Sequence, residues 1–312
     1  MNILCGGGAG FIGSELVPVL LKLGHKVQVI DLLWFGNYLP KEVNIVKKDL
    51  FDCTEEDFRG IDVFIFLAGL SNDPMAEYSP AKNFTFNGAL PSYLAYLCRK
   101  AGVKRFIYAS SASVYGFTEK VCTEGDETIS DYPYGISKLL GEQVLQFQDK
   151  NFSVVVLRQG TVCGVSSRMR FDLIVNTMFK TALNEGKIVV NNPDIWRPLY
   201  DIRDCVESYV KVLQSNASGI FNIGAENLTV LQIASAVKEA IREEMGIEIP
   251  LEVKNVPDRR NYKISFDKAR DVLGFKAKYT VKDIVRNLIK NRTKIGDMNQ
   301  DKYYNIKIFK SL

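Results

Sequence analysis

Short apolar stretches alternate with longer amphipathic ones through the first half of this chain. Strand patterns fall at 2–5, 26–30, 43–46, 62–67, 104–109 and 152–157, and helical patterns near 12–23, 83–101 and 132–149. Apolar strands separated by helices predict an α/β fold, a Rossmann-type doubly wound parallel sheet covered on both faces. Further on, Thr229-x-x-Gln232 forms a capping box ahead of Ile233, Ala236, Val237 and Ile241, and Thr280 to Asp283 opens an amphipathic helix to about 292. Residues 293–312 are polar and lysine-rich, which predicts a surface-draped or partly disordered tail.

The first strand pattern runs into glycines at 7, 10 and 13, followed by the apolar helix pattern Leu16, Leu20, Leu21 and Leu23. Such spacing lets a backbone turn tightly, approach a diphosphate and present a helix N-terminus to it, with Phe11 and Ile12 in the same turn. The second strand ends in Asp31, eighteen residues after Gly13. A carboxylate there suits adenosine ribose hydroxyls and repels a 2′-phosphate, which favours NAD over NADP. Asp49-Leu50, after the third strand, is a place where an acid meets an adenine amino group, although a solvated turn acid explains it equally well. Leu67, Ala68 and Gly69 close the fourth strand with small residues that leave room for a flat cofactor. Asn87 follows as a further cofactor candidate, its competing reading being an exposed helix residue.

The fifth strand opens into Ser110-Ser111-Ala112-Ser113-Val114-Tyr115-Gly116, a hydroxyl cluster suited to polarising a substrate oxygen. Tyr134 and Lys138 then lie four apart, on one face of a helix. A phenol is a poor base at neutral pH unless a nearby ammonium and a nicotinamide cation favour its phenolate, and the pair then exchanges a proton with a sugar or alcohol oxygen.

Composition narrows the field. The 312 residues are 46% hydrophobic and 24% charged, with a net charge of +4 and interspersed signs, so no nucleic-acid footprint stands out. No apolar run reaches membrane-spanning length, and no export signal is visible, which points to a cytoplasmic protein. Six scattered cysteines read as reduced, buried thiols, and His25 sits in a turn. One histidine and no cysteine cluster argue against a metal site or a Ser-His-Asp triad.

Together these motifs resemble the extended short-chain dehydrogenase/reductases, specifically the NAD-dependent nucleotide-sugar epimerase/dehydratase family, over roughly residues 1 to 290. The resemblance implies that Ser111, Tyr134 and Lys138 are catalytic and that the glycine loop, Asp31, Asp49 and Leu50 bind NAD. It also implies substrate contacts at Arg197, from Trp196-Arg197-Pro198, and at Arg259, from Pro257-Asp258-Arg259-Arg260. Thr161, Arg170 and Asn176 are further substrate candidates, with a solvated Arg170–Asp172 helix start as the competing reading. The implied layout is an NAD-binding domain over 1–165, with 200–225 returning to it. A smaller α/β substrate lobe over 166–292 and a tail over 293–312 complete it.

The implied reaction is epimerisation of a nucleotide-diphosphate sugar, usually at C4, by transient oxidation and re-reduction. Ala112 and Ser113 stand where 4,6-dehydratases carry Asp-Glu, which argues against that elimination. Ser113 and the lack of a late histidine argue against the GDP-fucose-synthase type of epimerase/reductase. Gly6 replaces the usual threonine, and Arg158-Gln159-Gly160-Thr161 departs from typical UDP-galactose epimerases. A nucleotide-sugar 4-dehydrogenase or 4-keto reductase with exchangeable NAD(H) uses the same residues, and a non-catalytic NAD sensor or scaffold is the alternative of another class. Surplus apolar residues at Leu90, Leu94, Leu97, Leu139, Leu140, Val144 and Leu145 imply, through the resemblance, a homodimer, with ordinary packing inside one chain as the competing reading of much of the pattern.

Overall fold

A computed structural model describes residues 1–146, 152–256, 258 and 260–312. Seven strands form one parallel sheet, in the spatial order Gly219–Ile223, Ser153–Gln159, Arg105–Ser111, Val63–Phe66, Asn2–Gly6, Lys26–Asp31 and Asn44–Lys47. The chain starts in the middle, steps outward to Asn44–Lys47, and crosses to the other side at Val63–Phe66. The reversal leaves a crevice between Asn2–Gly6 and Val63–Phe66 at their carboxyl ends, where α/β sheets bind ligands. The strands predicted from sequence start and end within two residues of those observed.

Alternation along each strand explains the two cores. Ile3, Cys5, Val29, Ile65 and Ile107 face helices Gly13–Lys22 and Ile202–Gln214. Leu4, Ile30, Phe64, Phe66, Phe106 and Tyr108 face the opposite layer, which supplies Leu90, Leu94, Leu97 and Leu145. Each such side chain contributes roughly 1.5–3 kcal/mol on burial. Those four leucines are therefore spent on the second face of the sheet, not on a subunit contact. The outer face of the same layer instead exposes Phe84, Tyr93, Tyr96 and Ile136. The predicted 83–101 helix is composite, with Pro80–Phe84, a π-helical turn over Thr85–Ala89, and Leu90–Lys100.

A second core gathers helices Ile174–Glu185, Val230–Met245 and Val281–Ile295 around Phe171, Phe179, Ile233, Ile241, Ile284 and Leu288. Both capping boxes form, Thr229 with Gln232 and Thr280 with Asp283. Two small sheets join segments of this lobe to the first, Glu226–Thr229, Trp196–Asp201 and Thr161–Cys163 in one and Asn261–Ile264 with Phe117–Cys122 in the other, while Leu251–Lys254 and Ile188–Asn191 pair within the second lobe.

The tail is neither loosely draped nor irregular throughout. It carries a turn at Asp301–Tyr303 and a short helix at Asn305–Lys310, and it buries Met298, Tyr303 and Phe309. Tyr303 meets Phe171 edge to face with centroids 5.5 Å apart, on the second lobe. Phe309 lies 6.1 Å from Trp34 and 5.9 Å from Tyr78, on the first. Apolar residues at 303, 306 and 309 thus tie the segment to both lobes. Among the described residues, no helix is long and apolar enough to cross a membrane.

Candidate active site

A cleft of about 690 Å³ opens at the carboxyl ends of the central strands. Its floor at one end is the glycine loop, with Gly7, Gly10, Phe11, Ile12 and Gly13 in the wall. Gly7 adopts φ +78°, and a Cβ there would lie 2.5 Å from the Ala68 backbone nitrogen. At Gly13 a Cβ would lie 2.3 Å from the Gly8 carbonyl oxygen, so this glycine lets the helix start pack on the loop. At Gly10 a Cβ would meet only the Gly7 oxygen, at 3.3 Å, and would otherwise project into open space. That open backbone surface beside a helix N-terminus fits a dinucleotide diphosphate.

Asp31 accepts hydrogen bonds from the Ala9 amide (2.9 Å) and the Leu33 amide (2.7 Å). Burial pushes its carboxyl above the usual range, and the two amides oppose that shift. Leu33 takes the left-handed value φ +56°, unusual for a branched side chain. The turn it makes sets Trp34 and Phe35 in the cleft wall. Asp49 and Leu50 line the same end, with Asp49 accepting from the Phe51 amide at 2.9 Å. Leu67, Ala68 and Gly69 line it as well.

Asn87 is neither exposed nor in the cleft wall. Its amide is consumed inside: the Leu70 amide donates to its Oδ1 (3.1 Å), and its Nδ2 donates to the Leu70 carbonyl (2.9 Å) and to Asn83 Oδ1 (2.8 Å). It shapes the turn after Gly69 from behind.

Ser111, Tyr134 and Lys138 converge at the middle of the cleft. The Ser111 hydroxyl stands beside the Tyr134 phenol and favours its ionised form, and Ser111 Oγ lies 2.9 Å from Ser113 Oγ. Ser113, from the same hydroxyl cluster, lies 3.3 Å from the Tyr262 hydroxyl, which local sequence did not single out. Lys138 Nζ donates to the Ala109 carbonyl at 2.8 Å and sits 6.0 Å from the Tyr134 ring centroid. Burial lowers Lys138 to about 7, with Glu142, one turn on, opposing the shift. Burial also raises the Tyr134 phenol well above its ordinary range. The protein's own residues therefore do not depress Tyr134 as expected from sequence, because desolvation, with the Asp73 charge adding to it, outweighs what the Ser111 hydroxyl and the Arg170 charge offer.

At the far end, Arg197 lines the cleft and donates from Nη2 to Asp258 Oδ2 at 3.1 Å. Arg260 also lines it, donating to both Asp258 oxygens (2.9 and 2.7 Å) and to Asp73. Arg259, the neighbour favoured by sequence, lies outside the described residues. Thr161 is in the wall. Arg170 is there too, buried and bidentate to Asp172 at 2.8 and 3.1 Å, so the pair is no solvated helix start. Asn176 is not in the wall. Fully buried, it accepts from the Gly164 amide (3.0 Å) and donates to the carbonyls of Gly164 and Arg170 (both 2.8 Å). Sequence reasoning also passed over Arg168, Gln159 and Asn305, which line the cleft.

Comparison with known proteins agrees with this geometry. A profile of the NAD dependent epimerase/dehydratase family matches residues 3–224. The UDP-glucose 4-epimerase of Lactobacillus helveticus is 28% identical over 319 residues, covering 91% of this chain and 95% of that protein. The structure of MoeE5 in complex with UDP-glucose and NAD has a TM-score of 0.83 at 26% identity, covering 95% of this chain and 100% of that one. A UDP-glucose 4-epimerase from Thermotoga maritima with UDP-glucose gives 0.84 at 25% identity, with the same coverage. With that profile spanning more than two thirds of its length, this chain belongs to the NAD-dependent epimerase/dehydratase family of the extended short-chain dehydrogenase/reductases.

Proposed function

We propose that this enzyme is a nucleotide-sugar 4-epimerase acting on a UDP-hexose. The observation that carries the reading is the convergence of Ser111, Tyr134 and Lys138 midway between the glycine loop and the Arg197–Arg260 end of one cleft. A nucleotide sugar laid along the cleft places its pyrophosphate toward the arginines and its hexose beside the hydroxyls. The relatives named above, both UDP-glucose 4-epimerases, and a neighbour holding UDP-glucose with NAD support UDP as the nucleotide.

When bound, NAD supplies the hydride acceptor and donor for the sugar carbon. Tyr134 takes the proton from the C4 hydroxyl and later returns it, while Ser111 holds that oxygen by a hydrogen bond. Lys138, fixed on the Ala109 carbonyl, orients the nicotinamide ribose and supports the phenolate. Tyr134, held high by burial, would reach its phenolate with the positive charge that a nicotinamide bound in this cleft would add. Walls of Leu67, Ala68 and Met178 keep water from the reacting carbon. The exposed Phe84, Tyr93, Tyr96 and Ile136 form the face through which two copies pair as a homodimer.

The test is turnover of UDP-glucose and other UDP-hexoses by NMR, without added cofactor. Tyr134→Phe is expected to lower turnover by about 10²–10⁴-fold while NAD remains bound. Near-normal activity in that variant overturns the mechanism.

A further inference from the structure

The second lobe sends one buried cation to the glycine-loop end of the cleft. Arg168 is 2% exposed, and it lines the cavity alongside Asp31, Phe35 and Gly10. Its guanidinium stacks on Phe35, 3.6 Å from the ring centroid. Nη2 donates to Asn305 Oδ1, whereas Nε and Nη1 are buried with no hydrogen-bond partner among the described residues. Leaving two charged donors unsatisfied is costly, and native proteins rarely do so without a ligand or a function. A guanidinium offering adjacent N–H groups matches phosphate oxygens in geometry and charge.

The position of Arg168 selects which phosphate. Ser166 Oγ donates to the Phe11 carbonyl at 2.7 Å and lies 3.1 Å from Ser14 Oγ. The Ser167 amide donates to Glu15 Oε1 at 2.7 Å. These contacts pin residues 166 and 167 onto the glycine loop and its helix, and so carry Arg168 over that loop. Arg197 and Arg260 are engaged with Asp258 at the opposite end. Asp31, the nearby carboxylate, already accepts from two backbone amides and does not hydrogen-bond the orphaned nitrogens.

Asn305 sits where the tail crosses the crevice. Its Nδ2 donates to Ser71 Oγ at 2.7 Å, and its amide donates to Asp172 Oδ2 at 3.2 Å. Ser71 follows the strand Val63–Phe66, across the switch point from the glycine loop. The line Arg168–Asn305–Ser71 therefore faces the loop from the other lip. Its anchor is the packing of Tyr303 and Phe309 on the two lobes.

We propose that Arg168 receives the diphosphate of the bound dinucleotide opposite the glycine loop, and that Asn305 in the C-terminal segment is the positioning residue that aims it. The proposal rests on NAD occupying this cleft, and it makes the tail part of the cofactor site. Bound diphosphate then satisfies the orphaned donors and stays enclosed between the two lobes.

The experiment measures equilibrium binding of ADP-ribose and of UDP to the full chain freed of nucleotide, with NAD content of the purified protein as a second readout. For Arg168→Ala the expected result is a loss of about 10- to 100-fold in ADP-ribose affinity, with UDP affinity unchanged and less NAD retained. Asn305→Ala is expected to move ADP-ribose affinity the same way by less, and Arg168→Lys to restore part of it. Should Arg168→Ala fail to fold, the Asn305→Ala and Arg168→Lys variants decide the question alone. Unchanged ADP-ribose affinity in the folded variants overturns the proposal, as does an equal loss for UDP, which would assign Arg168 to the substrate's diphosphate. Failure of the unsubstituted chain to bind ADP-ribose overturns the cofactor reading itself.

Discussion

The glycine-loop end of the cleft is made largely of backbone, and the opposite end of charged side chains. At the first, Gly7, Gly10 and Gly13 lie on one tight turn, and close approach between main-chain atoms sets the shape. At the second, Arg197, Asp258, Arg260 and Asp73 come from three separate segments and are held by ion pairs. Backbone shape tolerates almost no substitution, because neighbouring main chain has nowhere to go. A charged network can be retuned residue by residue, which suits a family that keeps one cofactor and varies the sugar.

The contrast can be broken first at Gly13. Its Cβ would lie 2.3 Å from the Gly8 oxygen, so Gly13→Ala forces the loop and helix apart. We expect a stability loss of roughly 1–3 kcal/mol by denaturant unfolding, together with loss of retained NAD. A smaller and more selective effect belongs to the far end. Arg197→Ala is expected to raise KM for a UDP-hexose about 10-fold while NAD affinity stays at the level of the unsubstituted chain. Equal losses for both ligands would erase the distinction between the two ends.

A more gradual effect sharpens the comparison at its midpoint. Burial lowers Lys138 to about 7, so between pH 7 and its ordinary value the unfolded chain binds a proton that the folded chain does not. This group's contribution to stability is therefore complete above the ordinary lysine range and is lost as pH falls toward 7. Unfolding of the NAD-free protein at pH 7, 8 and 9 should show a slope up to about 1.4 kcal/mol per pH unit steeper than that of Lys138→Met. Parallel slopes would mean that Lys138 stays protonated in the fold.

What the sequence discloses follows the same division. The sheet, the glycine loop and the Tyr134–Lys138 pair are legible because strand alternation, turn glycines and helical spacing act over a few residues. Arg168 and Asn305 meet across 137 positions, and Asn305 meets Ser71 across 234, so no local pattern announces them. The apolar spacing of Tyr303, Ile306 and Phe309 was the one signal that the tail packs, masked by the surrounding lysines. Asn176 and Asn87 misled because a polar residue in a helical stretch looks like a ligand until its backbone partners are known. For Leu90, Leu94 and Leu97 the pattern left two readings open, and packing inside the chain is the one that holds, because a sheet buried on both faces consumes more apolar surface than one face suggests.

Asp31 carries one consequence for how such a protein can change over generations. Its two oxygens hold the Ala9 amide in the glycine loop and the Leu33 amide in a turn with φ +56°, besides lining the cleft in which we propose that the dinucleotide lies. Exchanging the acid to admit a 2′-phosphorylated dinucleotide therefore removes two structural ties in the same mutational step. Cofactor choice is entrenched by architecture as much as by recognition. A lineage drifting toward the other dinucleotide must first relax the Leu33 turn, for which a glycine at that position is the simplest permissive change.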